Sequence, residues 1–115
     1  MATVFNNIDR VAEDPLSSVL VTIVLLWDTS ESPIAKVEDE DTIIRGTYST
    51  STDLDGYWEV DLVSNDEITP IDSVYKITER LSTNNDSVTY YISVPDNATP
   101  ISWIGDILVE EPVWV

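Results

Sequence analysis

The chain contains no cysteine and no histidine. Without cysteine there is no disulfide and no thiolate metal site, and the redox compartment stays open. Without histidine the commonest general base, the commonest metal ligand and the physiological pH switch are missing together. Glycine is scarce too, at three residues, so turns must rely on Asp, Asn, Ser and Pro. Basic side chains are few: five Lys and Arg stand against 22 Asp and Glu, a net charge of −17. A polyanion of that density is repelled by phosphates, which argues against nucleic-acid binding and against anionic membrane surfaces. Long apolar runs are lacking except for Val19 to Trp27, V-L-V-T-I-V-L-L-W. That run is far short of the about 20 residues a membrane-spanning helix needs. It follows Glu13 and Asp14 with no basic flank, so export by a cleavable signal is not supported. It reads as a strand buried on both faces.

What is present points to β structure. A length of 115 residues with 43% apolar content suits one domain, 1–115, with a single core. β-Branched residues and tryptophans outweigh the alanine and leucine a helical protein favours. The clearest stretch starts at the Asp55-Gly56 turn. From Tyr57 to Leu62 apolar and acidic residues alternate, which puts Trp58, Val60 and Leu62 on one sheet face and Glu59 and Asp61 on the other. Further strands are expected over Ala2 to Ile8, Ser18 to Trp27 and Thr42 to Ser49, with Gly46 as a bulge or close approach. Asp14-Pro15-Leu16 centres a turn, and Asp28 to Asp41 reads as a long polar loop. Val74 to Leu81 and Ser87 to Val94 read as a hairpin across the polar residues 82–86. A last apolar stretch, Ile101 to Val109, is followed by Glu110-Glu111-Pro112 and Val113-Trp114-Val115, a candidate C-terminal arm over 110–115. About seven short strands without an amphipathic helix give an all-β antiparallel sandwich.

Candidate chemistry is thin, and no catalytic, cofactor-binding or metal residue is assigned. Ser51, Asp53, Asp55 and Gly56 mimic the start of a calcium loop. Position 12 of that loop, however, is Leu62 where a bidentate Glu is required, so a structural turn is the better reading. Glu59 and Asp61 lie about 7 Å apart by strand rise, the i, i+2 spacing of any two outward carboxylates on one strand. The acidic run Glu38 to Asp41 reads as a solvated loop. Asn85-Asp86-Ser87 and Asn97-Ala98-Thr99 match glycosylation acceptors by coincidence of composition. Trp27 and Trp58 belong to strands and are expected in the core. Trp103 and Trp114 lie among Ile101, Ile104, Ile107, Leu108 and Val113, as sheet-edge contacts or, alternatively, as a sugar-stacking surface. Trp103, Ile104, Val113, Trp114 and Val115 are therefore the interface candidates, with the terminal tripeptide expected to dock on a neighbouring subunit.

One resemblance covers nearly the whole chain. It rests on D-x-x-G-x-W-x-V-x-L from Asp53, then Asn65, Pro70, V-Y-K-I-T-E from Val74, Y-Y-I-S-V-P from Tyr90 and W-I-G-D-I-L-V from Trp103. This order resembles the small Ig-like or transthyretin-like sandwich modules of tailed-phage tail fibres and minor tail proteins. Asp14-Pro15-Leu16 before Val19-Leu20-Val21-Thr22 fits their opening hairpin. The resemblance implies a non-enzymatic structural part on the exterior of a bacteriophage virion, without cofactor, held by other virion proteins and repeated as a homo-oligomer. Capsid decoration is the alternative within that class; a carbohydrate-binding or adhesion module contacting a host-surface glycan is the alternative outside it.

The charge has a consequence of its own. Like charges at this density push the folded chain apart, and salt screens them over about 10 Å at 0.1 M. The melting temperature should therefore rise between low and moderate salt, and a flat or falling calorimetric series would contradict this.

Overall fold

The computed structural model describes residues 2–9, 15–38, 40–80, 87–96 and 101–115. Among them the regular structure is strand, with two single 3-10 turns. In chain order the strands are β1 (Ala2–Asn7), β2 (Leu20–Leu26), β3 (Ala35–Val37), β4 (Thr42–Ile44), β5 (Thr47–Ser51), β6 (Tyr57–Leu62), β7 (Ile68–Thr69), β8 (Val74–Arg80), β9 (Ser87–Ile92), β10 (Ile101–Trp103) and β11 (Leu108–Val109). The 3-10 turns are Asn65–Glu67 and Ile104–Asp106.

Three sheets form. A five-stranded sheet has the order β11-β9-β8-β2-β5, a three-stranded sheet the order β10-β1-β6, and a small third sheet the order β4-β3-β7. All pairings are antiparallel except β1 with β10, which run parallel with Thr3 opposite Ile101 and Phe5 opposite Trp103. The first two sheets share one core. Val4, Trp58 and Leu62 come from the three-stranded sheet, and Val21, Ile23, Leu25, Tyr75, Ile77 and Ile92 from the five-stranded one. Period-two alternation produces this result, because residues directly opposite in a ladder share a face: Val21, Ile23 and Leu25 pair with Glu79, Ile77 and Tyr75. The architecture is sandwich-like.

Several expectations need correction. The central strand is not buried on both faces. Its inner positions are buried, but Thr22, Val24 and Leu26 are only half-covered and Leu20 is exposed, as on the outer face of a two-layer protein. The segment 28–41 is not all loop, since Ala35 and Val37 turn into the core as β3. The strand expected over Thr42 to Ser49 is two strands in different sheets, broken at Gly46. That residue has φ +104° and nothing within 4 Å of where a Cβ would stand, so it turns a corner in open space and makes no close approach. The apolar stretch from Ile101 splits as well. β10 pairs in the three-stranded sheet, the 3-10 turn crosses over, and β11 pairs in the five-stranded sheet. This crossover closes one side of the molecule. The expected hairpin of β8 and β9 is present, with Arg80 opposite Ser87 and Tyr75 opposite Ile92, while its connection at 82–86 lies outside the described residues.

Gly56 carries the opposite constraint to Gly46. It has φ +75°, and an added Cβ would stand 2.3 Å from the Ile8 carbonyl oxygen. The same backbone binds back, with the Ile8 N–H donating to the Gly56 oxygen at 2.8 Å. Gly46→Ala should cost about 1 kcal/mol, from the positive φ alone. Gly56→Ala adds a backbone clash and should cost at least about twice that. Equal urea midpoints for the two variants would refute this assignment.

Candidate interaction surfaces and the polar bridge between the sheets

The inner face of β8 runs Tyr75, Ile77, Glu79. The first two are core residues, and the third places a carboxylate in the same register. Glu79 Oε2 accepts the Trp58 indole N–H at 2.7 Å and the Asn6 amide at 2.9 Å. Asn6 Oδ1 in turn accepts the Trp103 indole N–H at 3.0 Å. Four strands from both sheets are thereby joined through one acceptor chain, β8 to β6 and β1, then β1 to β10. Tyr90, opposite Ile77, points the same way. Burial pushes its phenol pKa up, and the nearby Glu79 carboxylate adds to the shift. Its hydroxyl is buried without a hydrogen bond to the described residues. A carboxylate occupied by two indole and amide donors is a structural tie. Sequence reading missed it, although the signal was there: a glutamate two residues beyond Ile77 and four beyond Tyr75, in an inward register.

Asp53 also serves the backbone. Its Oδ1 accepts the N–H groups of Asp55 at 2.8 Å and Tyr57 at 3.1 Å, which fixes the turn before β6. Leu62, at loop position 12, faces the core. Among the described residues no group of three acidic side chains converges as a metal would require. Glu59 and Asp61 stand exposed side by side on the outer face of β6, opposite the inward Trp58 and Leu62. Glu38, Glu40 and Asp41 are exposed, and Asp39 lies outside the described residues. Most of the two glycosylation-like triplets, 85–86 and 97–99, also falls outside them.

The four tryptophans divide differently from the expectation. Trp58 is buried, but Trp27 sits just past β2, half-buried, with its N–H donated to the Ser32 carbonyl at 3.1 Å. Trp103 is 47% exposed, and its six-membered ring lies across Gly105, where a Cβ would meet ring carbons at 2.5 Å. Ile104 is a core residue at 5% exposure, so it leaves the set of interface candidates. Val113 and Val115 are exposed and Trp114 is half-buried. The Val115 N–H donates to the Pro112 carbonyl at 3.1 Å, so the arm folds into a turn and does not extend as a strand.

The side of the molecule away from the β10–β11 crossover stays open. Among the described residues β5 and β6 are there the edges of their sheets, connected along the chain by the turn at 52–56. Between them lies a cleft of about 250 Å³ whose lining includes Ile23, Leu25, Leu62 and Tyr75 together with Tyr48, Asp61 and one cation, Arg45. Compared with known protein families and with curated proteins, the chain matches none.

The polar bridge yields a stability prediction. Glu79→Ala strands the indole N–H of buried Trp58 and the Asn6 amide, and should cost about 2–4 kcal/mol. Glu79→Gln keeps an acceptor oxygen and should cost about 1 kcal/mol. Urea unfolding followed by tryptophan fluorescence measures both, and equal losses would mean that the negative charge matters and a neutral acceptor of the same size cannot replace it.

Proposed function

We propose that the chain is a non-enzymatic structural module of a tailed-phage virion, an Ig-like or transthyretin-like sandwich on tail, baseplate or fibre that works through protein–protein contacts. The observation that carries this reading is where apolar surface is left uncovered. Ile101, Trp103, Leu108, Val109, Val113 and Val115 are all exposed, and all belong to the last two strands and the arm that follows them. Other apolar side chains, among them Leu54, Ile71 and Val88, are exposed at scattered places, whereas these six fall together within residues 101–115, which fits a contact made with another subunit. The order of motifs from Asp53 to Val109 supplies the virion setting, and capsid decoration is the alternative position on the same particle.

A second reading, a carbohydrate-contacting module, has one observation in its favour. Trp103 is half-exposed with its ring held across Gly105 and its N–H anchored on Asn6, a fixed aromatic of the kind sugars stack on.

Light scattering in moderate salt separates these readings. The full chain should form a closed oligomer, and deletion of 112–115 should return it to monomer. An unchanged mass after the deletion would remove the arm from the contact. Glycan-array binding that is lost in Trp103→Ala but kept in the deletion would favour the second reading.

A further inference from the structure

The two sheets have unequal widths. On the closed side, β10 and β11 are linked by the crossover, so the missing strands of the narrower sheet fall on the other side, next to β6. The inner face of β5 is left uncovered there. Tyr48 pairs with buried Ile23 and so points inward, yet it is 51% exposed. Both edges bordering this gap lack a partner strand among the described residues. β6 offers its outer edge with Glu59 and Asp61 facing out and Leu62 facing in.

The geometry points to a docking site for an extended segment of a partner protein that alternates basic and apolar residues and adds as a strand to the free edge of β6. Strand alternation sets both halves of this specificity. Side chains on the inner face of the added strand enter the cleft over Tyr48, Ile23 and Leu62. Those on the outer face come alongside Glu59 and Asp61, as cross-strand neighbours do. β6 therefore selects cations on one face and apolar groups on the other. The uncharged edge of β5, T-Y-S-T-S, selects neither. A second copy of this chain does not fit, because its five basic residues, Arg10, Lys36, Arg45, Lys76 and Arg80, are nowhere two positions apart. The occupant is a different protein. This site lies on the opposite side from the arm at 110–115 and does not depend on it.

The probe is a capped heptapeptide of alternating Lys and Val, with Lys at both ends, titrated into the ¹⁵N-labelled full chain. Saturable shifts are expected at Tyr48 and along Tyr57 to Leu62, together with slowed amide exchange in β6. Binding should weaken with salt. The isosteric double variant Glu59→Gln/Asp61→Asn should weaken it about tenfold, since two exposed ion pairs are lost. Tyr48→Lys, which adds a second cation beside Arg45 at the cleft and leaves the sequence of β6 unchanged, should weaken it as well. Deletion of 112–115 should leave it unchanged, so failure of the subunit contact and failure of this site are separate results. The proposal is overturned if no saturable shifts occur or if they fall on β5 alone. Equal binding by a peptide of the same composition with its lysines grouped, or equal affinity in the double variant, would also overturn it.

Discussion

Glu79 sits where a sandwich ordinarily places another aliphatic side chain, and much of the molecule is arranged around that substitution. A half-buried carboxylate facing the opposite sheet gains from being hydrogen-bonded, because leaving a partly desolvated charge unpaired is costlier than leaving a neutral group so. The Trp58 indole and the Asn6 amide supply these bonds from two different strands, and Asn6 passes the constraint on to Trp103. Hydrophobic packing of Val21, Ile77 and Val4 can tolerate small slides between layers. Directional bonds from three residues to a common chain of acceptors cannot. The relative position of the two sheets is therefore set at the Glu79 end, and the Trp103 ring is fixed with it.

The same registration decides what remains uncovered. Five strands face three, the third sheet adds Ala35 and Ile68 to the same core, and among the described residues the gap that remains lies away from the crossover through Ile104–Asp106. Natural sheets blunt exposed edges with charge. β6 carries Glu59 and Asp61, while β5 carries no charge at all. An acidic edge discourages pairing between copies of a chain at −17 and leaves it open to a cationic strand. Solubility and partner choice thus draw on the same side chains.

Much of the fold was legible in the sequence because it is written in period two. Trp58, Val60 and Leu62 alternate with acidic residues, and the β8–β9 hairpin alternates on both arms, so the faces of β6 and the pairing of β8 with β9 followed directly. β3 and β7 were not legible, because three residues and two residues hold too little alternation to stand out from a polar loop. The break at Gly46 was misplaced in kind: a single glycine in a β-branched run signals a bulge or a corner equally, and only the destination of Thr47 to Ser51 separates them. On the surface, exposure of Trp103, Val113 and Val115 could be anticipated from their place near the terminal arm, but the burial of Ile104 could not. Ile104 opens a 3-10 turn that rotates it away from its neighbours on β10. The open cleft had no sequence signature, since it is produced by a difference in strand number between sheets.

The parallel pairing of β1 with β10 joins Thr3 to Ile101. Closing a loop that long carries a large entropic penalty before any contact offsets it, and non-local strand pairing of this kind slows folding. During synthesis β10 leaves the ribosome after nearly every other strand has been made, so β1 waits with one edge bare while β2, β8 and β9 assemble. Within the five-stranded sheet only β8 and β9 form a hairpin, β2 pairs with the distant β8, and β11 is made after β10, so both sheets gain their last edge strand late. The half-finished molecule is then most adhesive along β1, and its dense negative charge keeps nascent copies apart through that interval.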